Sequence, residues 1–322
     1  MFWASYFLAA LAIILAWPVP VILSRAKWPS RSPFSAMVLW QAIALAGGLS
    51  MIGAMLAWGL EPIGENLAQG LRSLWDILIQ RRPAETLGLV HVFAISAAIL
   101  LTVHLVFTLL LTYYRILSGR RRHRDMLNLL SSPSLDAPAT LVIPYPSPVA
   151  YCLPGGGQSV TVLSDGLMDI LSEAELTAVM THEKAHLSQH HHLLLWAFAA
   201  WRAALPWLPT SQLAQQSVNE LIEMLADDEA LKKVDRQTLV RAVAIVGSGA
   251  GAETAASLPG PTGTAAVTGG VDGQEDVIAG RLSRLLTPQP PLPRWIRAVI
   301  QASAVLLLAV PTVLLFAPGL IR

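Results

Sequence analysis

Residues 2–23, 36–60, 87–114 and 298–318 contain no Asp, Glu, Lys or Arg, and each run reaches the roughly 20 apolar residues needed to cross the hydrocarbon core of a bilayer. Runs of that length in lipid are helices, because only a helix satisfies its backbone hydrogen bonds within one segment. The chain is therefore expected to be a polytopic α-helical membrane protein with four transmembrane helices. Its composition agrees: 54% of the residues are hydrophobic and 13% charged, a balance outside that of soluble domains. Trp3, Trp17, Trp28, Trp58, Tyr113, Tyr114 and Trp295 fall near the ends of the runs, where amphipathic rings settle at the headgroup level. The first run lacks a basic flank before it and a small-residue cleavage site after it, so it is read as a retained anchor.

Lys and Arg orient the spans, since short cytoplasmic flanks collect them. Arg25, Lys27 and Arg31 lie between the first two runs. Arg115, Arg120, Arg121, Arg122 and Arg124 follow the third, and Arg294 and Arg297 precede the fourth. These three flanks belong on one side. That places the N-terminus outside, residues 61–86 in an outer loop, and residues 115–297 on the cytoplasmic side of a plasma membrane crossed four times. The expected organisation is three transmembrane helices in 1–114, a cytoplasmic domain in 115–297 and a fourth helix in 298–322. The net charge of +1 gives no electrostatic footprint for direct nucleic-acid binding, and the arginines are explained by orientation and anionic lipid. Cys152 is the only cysteine, which excludes an intramolecular disulfide and a Cys-rich metal site.

The cytoplasmic segment has its own pattern. Residues 140–143, 149–153 and 159–163 are short strand-like runs between Pro-rich and Gly-rich turns, and residues 172–190 read as helix, so a small α+β domain is expected. Residues 249–273, rich in Gly, Ala, Thr and Pro, read as a loop before helical periodicity resumes over 274–286.

Within 172–190 stands His182-Glu183-Lys184-Ala185-His186. Histidines four apart project from one helical face, so two imidazole nitrogens can reach one ion at about 2 Å. Glu183 is placed to take a proton from a water acidified by that ion, which generates the nucleophile of peptide hydrolysis. A chance HExxH on a polar helix face is the plainer explanation. Against it stand the helix-start pair Ser172 and Glu175 and the apolar residues of the opposite face.

A catalytic Zn2+ site with one open position needs a third protein ligand, and Glu223 and His192 compete for the place. Glu223 shares a face with Asp227 in the helical stretch Glu220-Leu-Ile-Glu223-Met-Leu-Ala226-Asp227. His192 stands where the motif HExxHxxGxxH has its third histidine, but Gln189 holds the position at which that pattern needs glycine to reverse the chain. His190 is too far along a straight helix to share the ion. Ligand geometry favours Glu223, and His190-His191-His192 is read as a polar helix end at the membrane surface.

These motifs resemble those of the BlaR/MecR family of membrane metallopeptidases and, more distantly, the HtpX and CAAX-prenyl-protease families. The likeness runs from about Tyr145 to Arg284, through Ala150-Tyr-Cys-Leu-Pro-Gly155, Leu163-Ser-Asp-Gly-Leu167, residues 173–178 and 182–187, and Glu223-x-x-Ala-Asp227-x-x-Ala230. It implies a gluzincin-like zinc peptidase domain inserted before the last of four spans. It further implies Glu223 as a zinc ligand and Asp227 as the carboxylate behind the metal that fixes a ligand histidine's tautomer. The implied substrate is a protein, specifically a winged-helix transcriptional repressor of the BlaI/MecI type, cut in answer to a signal passed through the spans. The chain stops at Arg322, short of the penicillin-binding sensor that follows the last span in the full-length antibiotic receptors, so a β-lactam is not the expected ligand. Where close relatives carry an Asp after the HExxH helix, this sequence has His192.

Two other functions compete: an HtpX-like membrane quality-control peptidase, and a non-catalytic transducer with a structural metal site. The second is disfavoured by Glu183, since a structural site has no use for a base. Residues 193–208 are apolar but short for a span and carry Arg202 and Pro206. A crossing there would put His182 and Glu223 on opposite sides, so the segment is expected to be interfacial, re-entrant or a buried core helix. His91 and His104, in the third run, are read as interhelical hydrogen bonders rather than a proton path, for want of acidic partners. Residues 155–157 lack the Lys-Ser/Thr pair of a phosphate loop and read as a hairpin turn. A homo-oligomer is left open.

Overall fold

The chain forms, in order, α1 (Phe2–Ala16), α2 (Pro18–Ser24), α3 (Pro33–Gly59), α4 (Leu67–Gln80), α5 (Leu89–Leu130), β1 (Ser132–Pro133), β2 (Thr140–Ile143), β3 (Ala150–Leu153), β4 (Val160–Ser164), α6 (Asp165–Ile170), α7 (Glu173–Ser188), α8 (His191–Ala204), α9 (Pro209–Ala230), α10 (Arg236–Glu253), α11 (Val271–Leu286) and α12 (Arg294–Phe316). This is a computed structural model, and it describes residues 1–80, 87–133, 140–153, 159–253 and 271–316. The expected turn at 155–157 lies outside the described residues, as does most of the expected loop at 249–273. The described ends of that loop are helical, in α10 and α11.

Among the described residues four segments are long and apolar enough to cross a membrane: Phe2–Ser24, Pro33–Gly59, Leu89–Leu129 and Arg294–Phe316. Their length and composition are those of a multi-pass membrane protein. The chain divides into two compact units, one made of Met1–Leu110, Trp201–Ser217 and Leu292–Arg322, the other of Leu111–Ala200 and Val218–Pro291.

In the first unit α1, α3 and α12 pack together, with Leu8, Ala57, Leu60, Ile95 and Leu315 forming a buried cluster. Proline lacks an N–H and disfavours helix at the residue before it, and the first span accordingly breaks at Trp17 before resuming at Pro18. Residues 61–86, expected as a loop, instead contain α4. Leu67 and Gly70 are buried on it, while Leu71, Trp75, Leu78 and Ile79 are exposed. Leu67, Leu71, Leu74, Trp75 and Leu78 recur at helical spacing on one face, a period that marks a helix even in a segment lying between two long spans.

Trp201–Ser217 belongs to this unit as well. Ala204, Leu205 and Leu208 cluster with Ala16, Met51, Leu101 and Leu105, so the end of α8 and the turn into α9 form a buried tip of this unit. Gly48 accommodates it, because a Cβ there would lie 2.9 Å from the Trp201 ring. The tip is also tied by polar contacts. The Thr210 hydroxyl is 2.9 Å from the Leu15 carbonyl oxygen and 2.5 Å from that of Ala16, whose helical donor would be the N–H that Pro20 lacks. His104 Nε2 meets the Ala204 carbonyl at the end of α8 at 3.0 Å, and His91 Nδ1 meets the Trp58 carbonyl near the end of α3 at 3.1 Å. Both span histidines thus bond helix-end carbonyls.

The second unit holds a mixed four-stranded sheet in the order β1-β2-β4-β3. β2 and β4 are parallel, and β3 runs antiparallel to β4 at the sheet edge. The Ser164-Asp165-Gly166 corner fastens this edge. Ser164 Oγ caps α6 by accepting from Leu167 N–H at 3.1 Å, accepts from Val149 N–H at 2.9 Å and donates to the Ser147 carbonyl at 2.8 Å. Asp165 accepts from Tyr145 N–H at 2.7 Å. Gly166 is required because a Cβ would sit 2.0 Å from the Pro146 carbonyl oxygen. The core below joins Leu163, Leu167, Ala178, Val179, Ala230, Leu239, Val243 and Leu285, which brings β4, α6, α7, α9, α10 and α11 onto one apolar surface.

Candidate active site

Helix α7 begins where its local chemistry requires. Ser172 Oγ accepts from Glu175 N–H and the Glu175 carboxylate accepts from Ser172 N–H at 2.9 Å, a complete capping box that satisfies two otherwise orphan donors. Ala178, Val179 and Ala185 are buried on its core side. The same helix holds His182, 7% exposed, and His186 toward α9. From α9 come Glu223 and Asp227, one turn apart, the latter 1% exposed.

His182 Nε2, His186 Nε2 and the Glu223 carboxylate converge. The two nitrogens are 3.2 Å apart. Glu223 Oε2 is 3.3 Å from His182 Nε2, and Oε1 is 3.5 Å from His186 Nε2. Ligands at about 2.0–2.1 Å from a tetrahedral zinc stand about 3.3 Å from one another, so donor types and spacing both fit that ion. Among the described residues this is the group of His, Cys, Asp and Glu able to hold a metal. Asp227 Oδ1 lies 3.0 Å from His182 Nδ1, which holds a proton on Nδ1 and makes Nε2 the nitrogen that would meet a metal.

A residue that the sequence did not point to completes the cluster. Arg281, from α11, grips Asp227 with Nε at 2.9 Å and Nη2 at 2.6 Å, and its Nη1 is 3.0 Å from Glu223 Oε2. Its neighbour Arg284 pairs with Asp228 at 2.8 Å. These two bridges join α11 to α9, and the only earlier signal for them was the helical period over 274–286.

Local fields follow from this packing. Burial and the Arg281 charge press the His182 imidazole down, but hydrogen bonds to Asp227 and Glu223 outweigh them and push it up to about 9. Burial alone would raise Glu223; Arg281 and the two histidines instead hold it well below the ordinary carboxylate range. Asp227 is lowered in the same way by His182 and Arg281. Burial pushes Glu183 up to about 7, opposed by His182 and by a hydrogen bond from the Cys152 backbone. Burial holds His186 down to about 4.

Residues 117–252 match the family model of Peptidase family M48. The match supports a peptidase, a hydrolase, and family M48 is generally zinc-dependent. It covers His182, Glu183, His186, Glu223 and Asp227 and ends before Arg281. No solved structure matches the chain.

The run of three histidines is a correction. The chain does turn sharply after α7, but at His190, whose φ of 53° is left-handed, and not at Gln189, which closes the helix with φ −91°. His190 therefore does not extend the helix. His191 is 1% exposed and lies against His186, so it is no surface residue; burial, then His186 beside it, hold it down to about 4. His192 is partly buried and contributes nothing to the His182, His186 and Glu223 group.

Proposed function

We propose that this chain is a membrane-embedded zinc metalloendopeptidase of the HExxH…E type. His182, His186 and Glu223 would be its metal ligands and Glu183 its general base. The observation that carries the reading is the convergence of three ligand atoms, all within 4.8 Å of one another, with Glu183 adjacent in sequence to His182. Zinc, when bound, raises the acidity of the attacking water and polarises the scissile carbonyl.

The chain's own groups do the rest. Glu183 accepts the water proton at its carboxylate and delivers it to the leaving amine. Its upward shift keeps a carboxyl able to exchange protons near neutrality. Asp227 and Arg281 orient His182 and Glu223. β3 is an edge strand, and the Cys152 backbone hydrogen-bonds Glu183, so an extended peptide paired to that edge would run past the base.

We further propose a cytoplasmic protein as substrate, a winged-helix repressor of the BlaI/MecI type, on the motif resemblance and on the arginines that assign residues 115–297 to the cytoplasm. Comparing cellular proteomes of wild type and Glu183→Gln tests this reading. One regulatory protein intact in the variant and cleaved in wild type is expected. A broad accumulation of damaged membrane proteins would favour quality control, and no difference would favour a transducer. A reporter fused near Ser257 checks the orientation; periplasmic activity there would make a cytoplasmic substrate impossible.

A further inference from the structure

His191 lies outside the match to any metal motif and is used by nothing above, yet it is nearly inaccessible and its ring is fully engaged. Its Nδ1 is 3.0 Å from His186 Nδ1, and its Nε2 is 2.9 Å from Gln189 Oε1. The rings of His186 and His191 meet edge to face, with centroids 5.1 Å apart. The left-handed turn at His190 makes this possible, since it folds α8 back so that its first residue faces the last turn of α7.

The bonding has one direction. Gln189 Oε1 can only accept, so His191 carries its proton on Nε2 and presents a bare Nδ1. That nitrogen can only accept, so His186 donates from Nδ1. The Nε2 of His186 is then bare on the side where His182 and Glu223 stand. His182 obtains the same result from Asp227, a carboxylate. The two candidate ligands are therefore oriented by acceptors of different charge, one anionic and one neutral.

We propose that His191 is a positioning residue, which with Gln189 fixes the tautomer and ring plane of His186 for metal binding. The proposal rests on the zinc reading of this site. Outer partners of metal-binding histidines are worth about ten- to a hundredfold in metal affinity, so His191→Leu should weaken zinc binding by that order. His191→Asn, whose Oδ1 supplies an acceptor near the Nδ1 position, should stay within a few-fold of wild type. His191→Asp should bind at least as tightly as wild type. Gln189→Leu, at an exposed position that does not threaten folding, should lose several-fold, whereas Gln189→Glu keeps the acceptor and should not.

The measurement is the zinc dissociation constant of full-length protein in detergent by chelator competition, with the absorption spectrum of the cobalt-substituted protein reporting ligand geometry. Wild type that binds no zinc would overturn the metal reading itself. Wild type that binds zinc, beside a His191→Leu or Gln189→Leu protein of equal affinity and unchanged cobalt spectrum, would overturn this proposal alone. Loss in Gln189→Glu as large as in Gln189→Leu would overturn the direction of the chain of hydrogen bonds.

Discussion

The two compact units both hold histidines and other polar side chains in hydrogen bonds, and they use them differently. In the spanning unit His91, His104 and Thr210 all bond backbone carbonyls at helix ends or beside a proline. In the other unit His182, Asp227, Arg281, Glu223, His186, His191 and Gln189 bond one another. The first arrangement repairs the backbone, a requirement that lipid imposes wherever a helix stops. The second leaves lone pairs aimed at a common point, which helps nothing in the backbone and is intelligible as a site. A histidine in an apolar span and a histidine in a ligand cluster thus differ by what accepts their proton.

The largest expected effect breaks function without touching the network. Glu183→Gln should cut peptidase activity by a factor on the order of 10²–10⁴ or more and leave zinc bound. Activity assayed beside metal content checks this, and loss of zinc with activity would remove Glu183 from the role of base.

Next come variants within the network. Glu223→Ala should lose zinc severely, while His192→Ala should stay within a few-fold of wild type, by metal analysis of purified protein. Arg281→Ala leaves the buried Asp227 carboxylate without its strongest partner, which typically costs about 3–5 kcal/mol for a buried pair broken on one side. A denaturation midpoint unchanged in Arg281→Ala would mean that the cluster tolerates an unpaired charge.

Acid should act on this unit selectively. His186 and His191, depressed to about 4 in the folded protein, contribute stability that is present above pH 6.5 and lost as pH falls toward 4, because the unfolded chain takes up the protons first. Glu223 and Asp227, also lowered, act with the same sign at lower pH. On the alkaline side His182, raised to about 9, contributes stability that is present below 6.5 and lost as pH rises through 9. Chelator-treated protein should therefore melt highest near pH 6–7, and an optimum outside that window would contradict the charge assignments.

The smallest effect belongs to the spans. His104→Leu leaves one Ala204 carbonyl lone pair unused, and such interhelical bonds average about 0.6 kcal/mol. A small loss of thermal stability with full zinc content is expected; a His104→Leu protein that lost zinc would erase the contrast between the two units.

Much of this molecule is written in local pattern. The uninterrupted apolar runs announced the four spans, and the Ser172 and Glu175 cap announced α7. The runs at 140–143, 149–153 and 159–163 lie within a residue of β2, β3 and β4, because alternation and turn residues act over a few positions. Histidines four apart on one helix, and Glu223 with Asp227 on another, are also local facts. α4 was legible in the same way, since Leu67, Leu71, Leu74, Trp75 and Leu78 recur at helical spacing on one face; its place between two long spans hid it.

What only the tertiary structure decided is non-local or hangs on a single dihedral sign. Arg281 meets Asp227 across 54 positions and His182 across 99, and no spacing rule reaches that far. His191 rather than His192 meets His186 because His190 takes φ 53°, a conformation that costs a non-glycine residue on the order of 1 kcal/mol and is not readable from its identity. Trp201–Ser217 joins the spanning unit because the Trp201 ring fits against Gly48 and the Thr210 hydroxyl reaches the freed carbonyl of Ala16. Helix and strand identity follow from neighbours in the chain, whereas who completes a buried polar cluster is settled by which groups packing brings within 3 Å of one another.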